Sequence, residues 1–119
     1  MSTQKYSGSC HCGSVKYEIQ SEEIRGAMSC NCSICSRRGH LLAFVPEAQF
    51  KLLSGGEHLK DYQFAKKRIH HYFCTNCGVA PFGAAQMPDG TPMRSINVRC
   101  LEGVDPLKLE IQHYDGRSL

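Results

Sequence analysis

The chain has 119 residues, eight cysteines and a net charge of +3. That length suits one domain, here 1–119, with a core modest enough for a metal staple to matter. The weak, evenly mixed charge argues against a nucleic-acid surface, and no stretch is apolar for the length of a membrane span.

Residues 1–9 carry no apolar core of the kind a secretory leader has. A reducing cytoplasm is therefore expected, where thiols stay free for metal. Most readable segments then alternate with a period of two, the signal of strands. Val15, Tyr17 and Ile19 share one face, with Lys16, Glu18 and Gln20 on the other. Around Ser33 to Arg38 a turn or two of helix is expected. Residues 41–45 form a short apolar run suited to a buried strand, and Phe50-Lys51-Leu52-Leu53 leads into a turn at Ser54-Gly55-Gly56. Leu59, residues 62–64 and residues 69–73 read as further strands, with Lys66-Lys67-Arg68 as a solvated strand end or turn. After a turn at Pro88-Asp89-Gly90, Ile96, Val98 and Cys100 alternate with Asn97, Arg99 and Leu101. Leu107, Leu109 and Ile111 alternate once more. The fold expected is mainly β, built of short antiparallel strands.

With no leader expected, the eight cysteines point to metal rather than to disulfides. They cluster as Cys10-His11-Cys12, as Cys30-Asn31-Cys32-Ser33-Ile34-Cys35 and as Cys74-Thr75-Asn76-Cys77, with Cys100 alone. Cys74 and Cys77 can meet one ion across a tight turn, and Gly78 can take the positive φ such a turn needs. On a strand, Cys10 and Cys12 would leave the same face. Those four make a closed tetrahedral set of the structural-zinc kind. Cys30, Cys32 and Cys35 supply three thiolates, which leaves a fourth position for water or substrate. Spacing alone permits other pairings, and Cys100 could complete the second set. Its phase, shared with Ile96 and Val98, favours core packing.

Arg37 and Arg38 read first as solvated residues closing the turn after Cys35; the alternative is that they pair with carboxylates of a peptide thiol. His40 is the best placed histidine for a proton shuttle, although a packing role is the plainer reading. His11 should point away from any metal held by its neighbours. His70 and His71 lie on opposite strand faces, so at most one can face a site.

With these clusters in place, the chain resembles the glutathione-dependent formaldehyde-activating enzyme family, which includes centromere protein V. The resemblance rests on Cys10-His11-Cys12-Gly13-Ser14-Val15-Lys16-Tyr17-Glu18, on Cys30-Asn31-Cys32-Ser33-Ile34-Cys35 and on Tyr72-Phe73-Cys74-Thr75-Asn76-Cys77-Gly78. The segment Phe50-Lys51-Leu52-Leu53-Ser54-Gly55-Gly56-Glu57-His58 is similar to the centromere protein V branch. The resemblance implies a zinc-stabilised β-tent of antiparallel sheets. It implies Cys10, Cys12, Cys74 and Cys77 as structural zinc ligands, and Cys30, Cys32 and Cys35 as ligands of a catalytic zinc. The activity implied is that of a carbon–sulfur lyase, similar to S-(hydroxymethyl)glutathione synthase, adding a small thiol such as glutathione to an aldehyde such as formaldehyde.

Three thiolates on Zn²⁺ make a net charge of −1. Such a centre activates water poorly but suits an incoming thiol, which coordination would hold as thiolate. With only three protein ligands, the second of two zincs per chain is expected to be the more easily lost. Two other readings are a zinc-stabilised protein-interaction module without catalysis, and a redox protein whose middle cluster releases zinc and forms a disulfide.

Overall fold

A computed structural model describes residues 3–64 and 69–116; the basic run at 66–68 lies outside them. The strands are β1 (Gln4–Ser9), β2 (Lys16–Ser21), β3 (Gly26–Cys30), β4 (Leu42–Pro46), β5 (Phe50–Ser54), β6 (Leu59–Tyr62), β7 (His70–Cys74), β8 (Phe82–Gln86), β9 (Pro92–Asn97) and β10 (Glu110–Tyr114). A short helix, α1 (Ser33–Arg38), falls where a turn or two of helix was expected. Among the described residues the chain is thus mainly β, and no helix is long and apolar enough to cross a membrane.

Two sheets form. A three-stranded sheet runs β1-β2-β5, and a seven-stranded sheet runs β10-β3-β4-β9-β8-β7-β6. Among the described residues all strand pairings are antiparallel except one: β10 lies parallel to β3, with Ile111 opposite Ala27 and Tyr114 opposite Cys30. A parallel pair needs a long crossover, and here α1 and β4 to β9 lie between its two strands.

The alternation of β2 puts Val15, Tyr17 and Ile19 wholly inside, as read from the sequence. Tyr17 joins the two sheets. Its ring stacks on Phe50 of β5 at 5.3 Å and meets the edge of Phe82 of β8 at 5.5 Å. The buried hydroxyl donates to the Pro81 carbonyl at 3.0 Å, so its polar end is satisfied.

Further on, the alternating pattern fails in two places. β9 stops at Asn97, and residues 98–100 form a 3-10 turn, so Cys100 does not share a strand face with Ile96 and Val98. Asn97 is the cause. Its side-chain oxygen accepts from the Arg99 N–H at 3.2 Å, while its amide nitrogen donates to the Ala80 carbonyl at 3.1 Å. An Asx-type cap offers the backbone an alternative to the ladder. Near the C-terminus, Pro106–Lys108 likewise turn instead of extending, which leaves Leu107 93% exposed and limits β10 to Glu110–Tyr114.

Candidate metal centres

Cys74 ends β7, and the chain turns back at once: the Gly78 N–H donates to the Cys74 carbonyl at 2.8 Å. Gly78 adopts φ +82°, the left-handed conformation expected of it. The knuckle is anchored from outside, because the Thr75 N–H and hydroxyl both reach the His58 carbonyl, at 2.8 and 2.9 Å. Cys10 and Cys12 lie in the turn between β1 and β2, not on a strand as expected. The turn is closed by hydrogen bonds from the Cys10 N–H to the Val15 carbonyl and from the Gly13 N–H to the Cys10 carbonyl.

The two turns face each other. The sulfurs of Cys10, Cys12, Cys74 and Cys77 all lie within 4.8 Å of one another. Cys10 Sγ is 3.6 Å from Cys12 Sγ, which in turn is 3.7 Å from Cys74 Sγ. Those spacings far exceed a disulfide bond. They match the edge of a tetrahedron with metal–sulfur bonds of ~2.3 Å, which is about 3.8 Å. Backbone and hydroxyl donors stabilise thiolates here. Ser14, at 3.2 Å from its sulfur, followed by Asn76, pulls Cys12 down to about 5. The Val79 N–H lowers Cys77, and the Val15 N–H reaches Cys10 Sγ at 3.4 Å. Cys100 stays outside this set, half-buried beside it; burial, then the charges on Cys10 and Cys77, push its thiol up to about 11.

The second set forms where β3 runs into α1. Cys30 is the last residue of β3, Cys32 caps the helix and Cys35 sits inside it, buried. Their three sulfurs also lie within 4.8 Å of one another. Although burial alone would raise it, Cys32 is lowered by the N–H groups of Cys35 and Ile34. The Cys32 N–H reaches Cys30 Sγ at 3.4 Å. Burial, then the neighbouring thiols of Cys32 and Cys30, push Cys35 up. A soft divalent ion would relieve that crowding by neutralising three converging thiolates, so the donor chemistry fits zinc in both clusters.

Three features of this second set were not legible in the spacing. His40 Nε2 lies 3.2 Å from Cys35 Sγ, yet His40 does not join the atoms clustered within 4.8 Å. It therefore touches one sulfur without joining the set of three. Burial, then Arg38 and His71, lower it to about 4, so the ring is neutral. Next, β10 brings the C-terminal segment onto the cluster: the Asn31 N–H donates to the Tyr114 carbonyl at 3.1 Å, and the Asn31 amide to Asp115 at 3.0 Å. There a Cβ on Gly116 would lie 2.6 Å from Cys30 Sγ. Finally, an open cleft of about 590 Å³ runs along α1, lined by Arg37, Arg38, Tyr62, Phe64 and Phe73 among others.

The remaining candidates sort by strand face. His71 and His40 line one small cavity together with Arg38, whereas His70 turns to Asp61, Nδ1 to Oδ2 at 2.6 Å. His11 is exposed between its two cysteines.

The glutathione-dependent formaldehyde-activating enzyme family matches residues 5–116. A Halomonas elongata protein named "Putative glutathione-dependent formaldehyde-activating enzyme" is 30% identical over 81 residues, 61% of this chain. The match spans only 52% of that relative's length. In three dimensions the chain is similar to the crystal structure of a Rhodobacter sphaeroides protein, with a TM-score of 0.74 and 32% identity. That likeness covers 92% of this chain and all of the other.

Proposed function

The chain belongs to the glutathione-dependent formaldehyde-activating enzyme family, and on that premise we propose that it joins a small thiol of the glutathione type to an aldehyde such as formaldehyde. In this reading it is a single zinc-binding domain working in the cytoplasm. Cys10, Cys12, Cys74 and Cys77 hold a closed structural zinc, while Cys30, Cys32 and Cys35 hold a second, reactive one.

One observation carries the proposal. Among the described residues, the second cluster brings together three sulfurs and no fourth metal-binding atom. A purely structural site would be closed by a fourth protein ligand, as the first cluster is. Zinc bound there would supply a low pKa to an incoming thiol, keeping it as the nucleophilic thiolate at neutral pH.

The chain's own part is to shape that place. Backbone N–H groups at the start of α1 hold the Cys32 thiolate. His40, neutral, lies with Nε2 3.2 Å from Cys35 Sγ and would donate to that sulfur once it is ionised. In the reaction the thiol sulfur bonds to the carbonyl carbon, the carbon–oxygen π bond opens onto oxygen, and the thiol proton ends there. The product is a hemithioacetal with no change in oxidation state, and the reverse step breaks a carbon–sulfur bond, as a lyase does.

Exchange spectroscopy by NMR on glutathione and formaldehyde tests this directly. The zinc-loaded protein should speed interconversion with the adduct, and Cys32→Ser should abolish the gain. Rates equal to the uncatalysed background would overturn the proposal.

A further inference from the structure

We propose that the cleft beside α1 is a docking site for the carboxylate of the thiol substrate, with Arg38 as the group that pairs with it. The inference rests on the reading of the second cluster as the reactive one, and it adds which thiols that site accepts.

Arg38 is half-buried and makes no ion pair or hydrogen bond among the described residues. Guanidinium groups are seldom taken out of water without an acid beside them. By contrast its neighbour Arg37 is exposed and tied to its own helix, Nη1 reaching the Ser33 carbonyl at 2.7 Å. Asp61, on β6 beside Tyr62, is already held by His70. Burial weakens the hold of Arg38 on its proton, and the neighbouring Cys35, then Tyr62, restore part of it.

Position decides the rest. Arg38 lines the open cleft and also the small cavity that contains His40, whose ring touches Cys35. A ligand anchored on this guanidinium therefore lies beside the cavity whose His40 touches Cys35. At about 590 Å³ the cleft suits a small ligand, within the usual span of about 300–1,000 Å³. Also bordering the cleft, Tyr62 and Phe64 stack at 5.8 Å, and Phe64 stacks on His71 at 5.4 Å. The geometry offers a fixed positive charge against a flat apolar wall. A thiol with a carboxylate on a short peptide-like body meets both, the charge by paired N–H···O bonds. A small neutral thiol meets neither.

The test uses zinc-loaded full-length protein and S-methylglutathione, whose blocked sulfur cannot react. Calorimetric titration should show the free acid binding about tenfold to a hundredfold more tightly than its diethyl ester. Arg38→Gln should bring the acid down to the ester's affinity with zinc content unchanged, and Arg38→Lys should keep an intermediate value. Equal binding of acid and ester by the wild type would overturn the proposal, as would unchanged binding by Arg38→Gln. Loss of zinc from Arg38→Gln would also overturn it, assigning Arg38 to the support of the thiolates. Because the probe cannot turn over, Arg38-dependent binding would stand even if formaldehyde exchange were never accelerated. Acceleration with Arg38-independent binding would remove the cleft and leave the reaction.

Discussion

The imidazole of His40 meets the thiol of Cys35 end on, Nε2 to Sγ, at 3.2 Å. With Cys35 ionised, Nε2 carries the shared proton and Nδ1 is the acceptor. Here the structure redirects the role read for His40: its ring is committed to a sulfur, so it acts through Cys35. Outer partners of metal ligands typically contribute ~10–100-fold to metal affinity. His40→Leu should weaken the second zinc by that order, measured by competition with a chromophoric chelator. Gln, whose amide nitrogen reaches a similar place, should recover part of the loss. An unchanged affinity, together with an unchanged cobalt absorption spectrum, would make His40 a packing residue only.

Gly116 lies against the same cluster from the opposite end of the chain. The 2.6 Å approach of a Cβ to Cys30 Sγ is shorter than real contacts allow, and Cys32 Cβ would be met at 3.2 Å. Gly116→Ala should therefore displace the Cys30 sulfur. Native mass spectrometry is expected to find the variant with one zinc instead of two. Retention of the first zinc serves as the check that the fold is intact. Two firmly held zincs in Gly116→Ala would show that the C-terminal segment is not packed on the thiols.

Stepwise removal of metal should separate the two clusters. A chelator of moderate strength is expected to take the zinc held by three sulfurs first, with far-ultraviolet circular dichroism unchanged. Removal of the second should unfold the chain, because the four-sulfur set ties the β1–β2 turn to the end of β7. Cys77→Ser should mimic the second step and Cys32→Ser the first. Simultaneous loss of both zincs and of the fold would contradict this order.

Tyr17 offers a check on the core that involves no metal. Tyr17→Phe leaves the Pro81 carbonyl, inside the protein, without its donor at 3.0 Å. The cost should be about 1–3 kcal/mol. Urea unfolding of the zinc-loaded protein would show it as a lower midpoint with an unchanged slope. No shift in midpoint would mean that another donor reaches Pro81.

Short-range chemistry was legible from the residues alone. Cys74 and Cys77 are close enough in sequence for one turn to bring both sulfurs together, and Gly78 supplies the conformation that the turn needs. Helix α1 was equally readable, lying between its cap Cys32 and the left-handed Gly39. Strands whose side chains do not alternate were missed. Phe82, Gly83 and Ala84 of β8 are all buried, so the segment shows no period of two, and Gln4–Ser9 of β1 are mostly polar and exposed. Cys100 was misphased because a single side chain, Asn97, ends its strand early.

What makes the second cluster more than three cysteines came only from tertiary structure. The parallel pairing of β10 with β3 brings Gly116 onto Cys30, and α1 leaves Arg38 between the cleft and the His40 cavity. Sequence by itself determined which sulfurs lie close within each cluster, because contacts across a few residues follow from backbone geometry; that the turn of Cys10 and Cys12 meets that of Cys74 and Cys77 came from the fold. Only the folded chain decided what surrounds those sulfurs, because contacts between remote strands depend on a register that burial of the whole core selects.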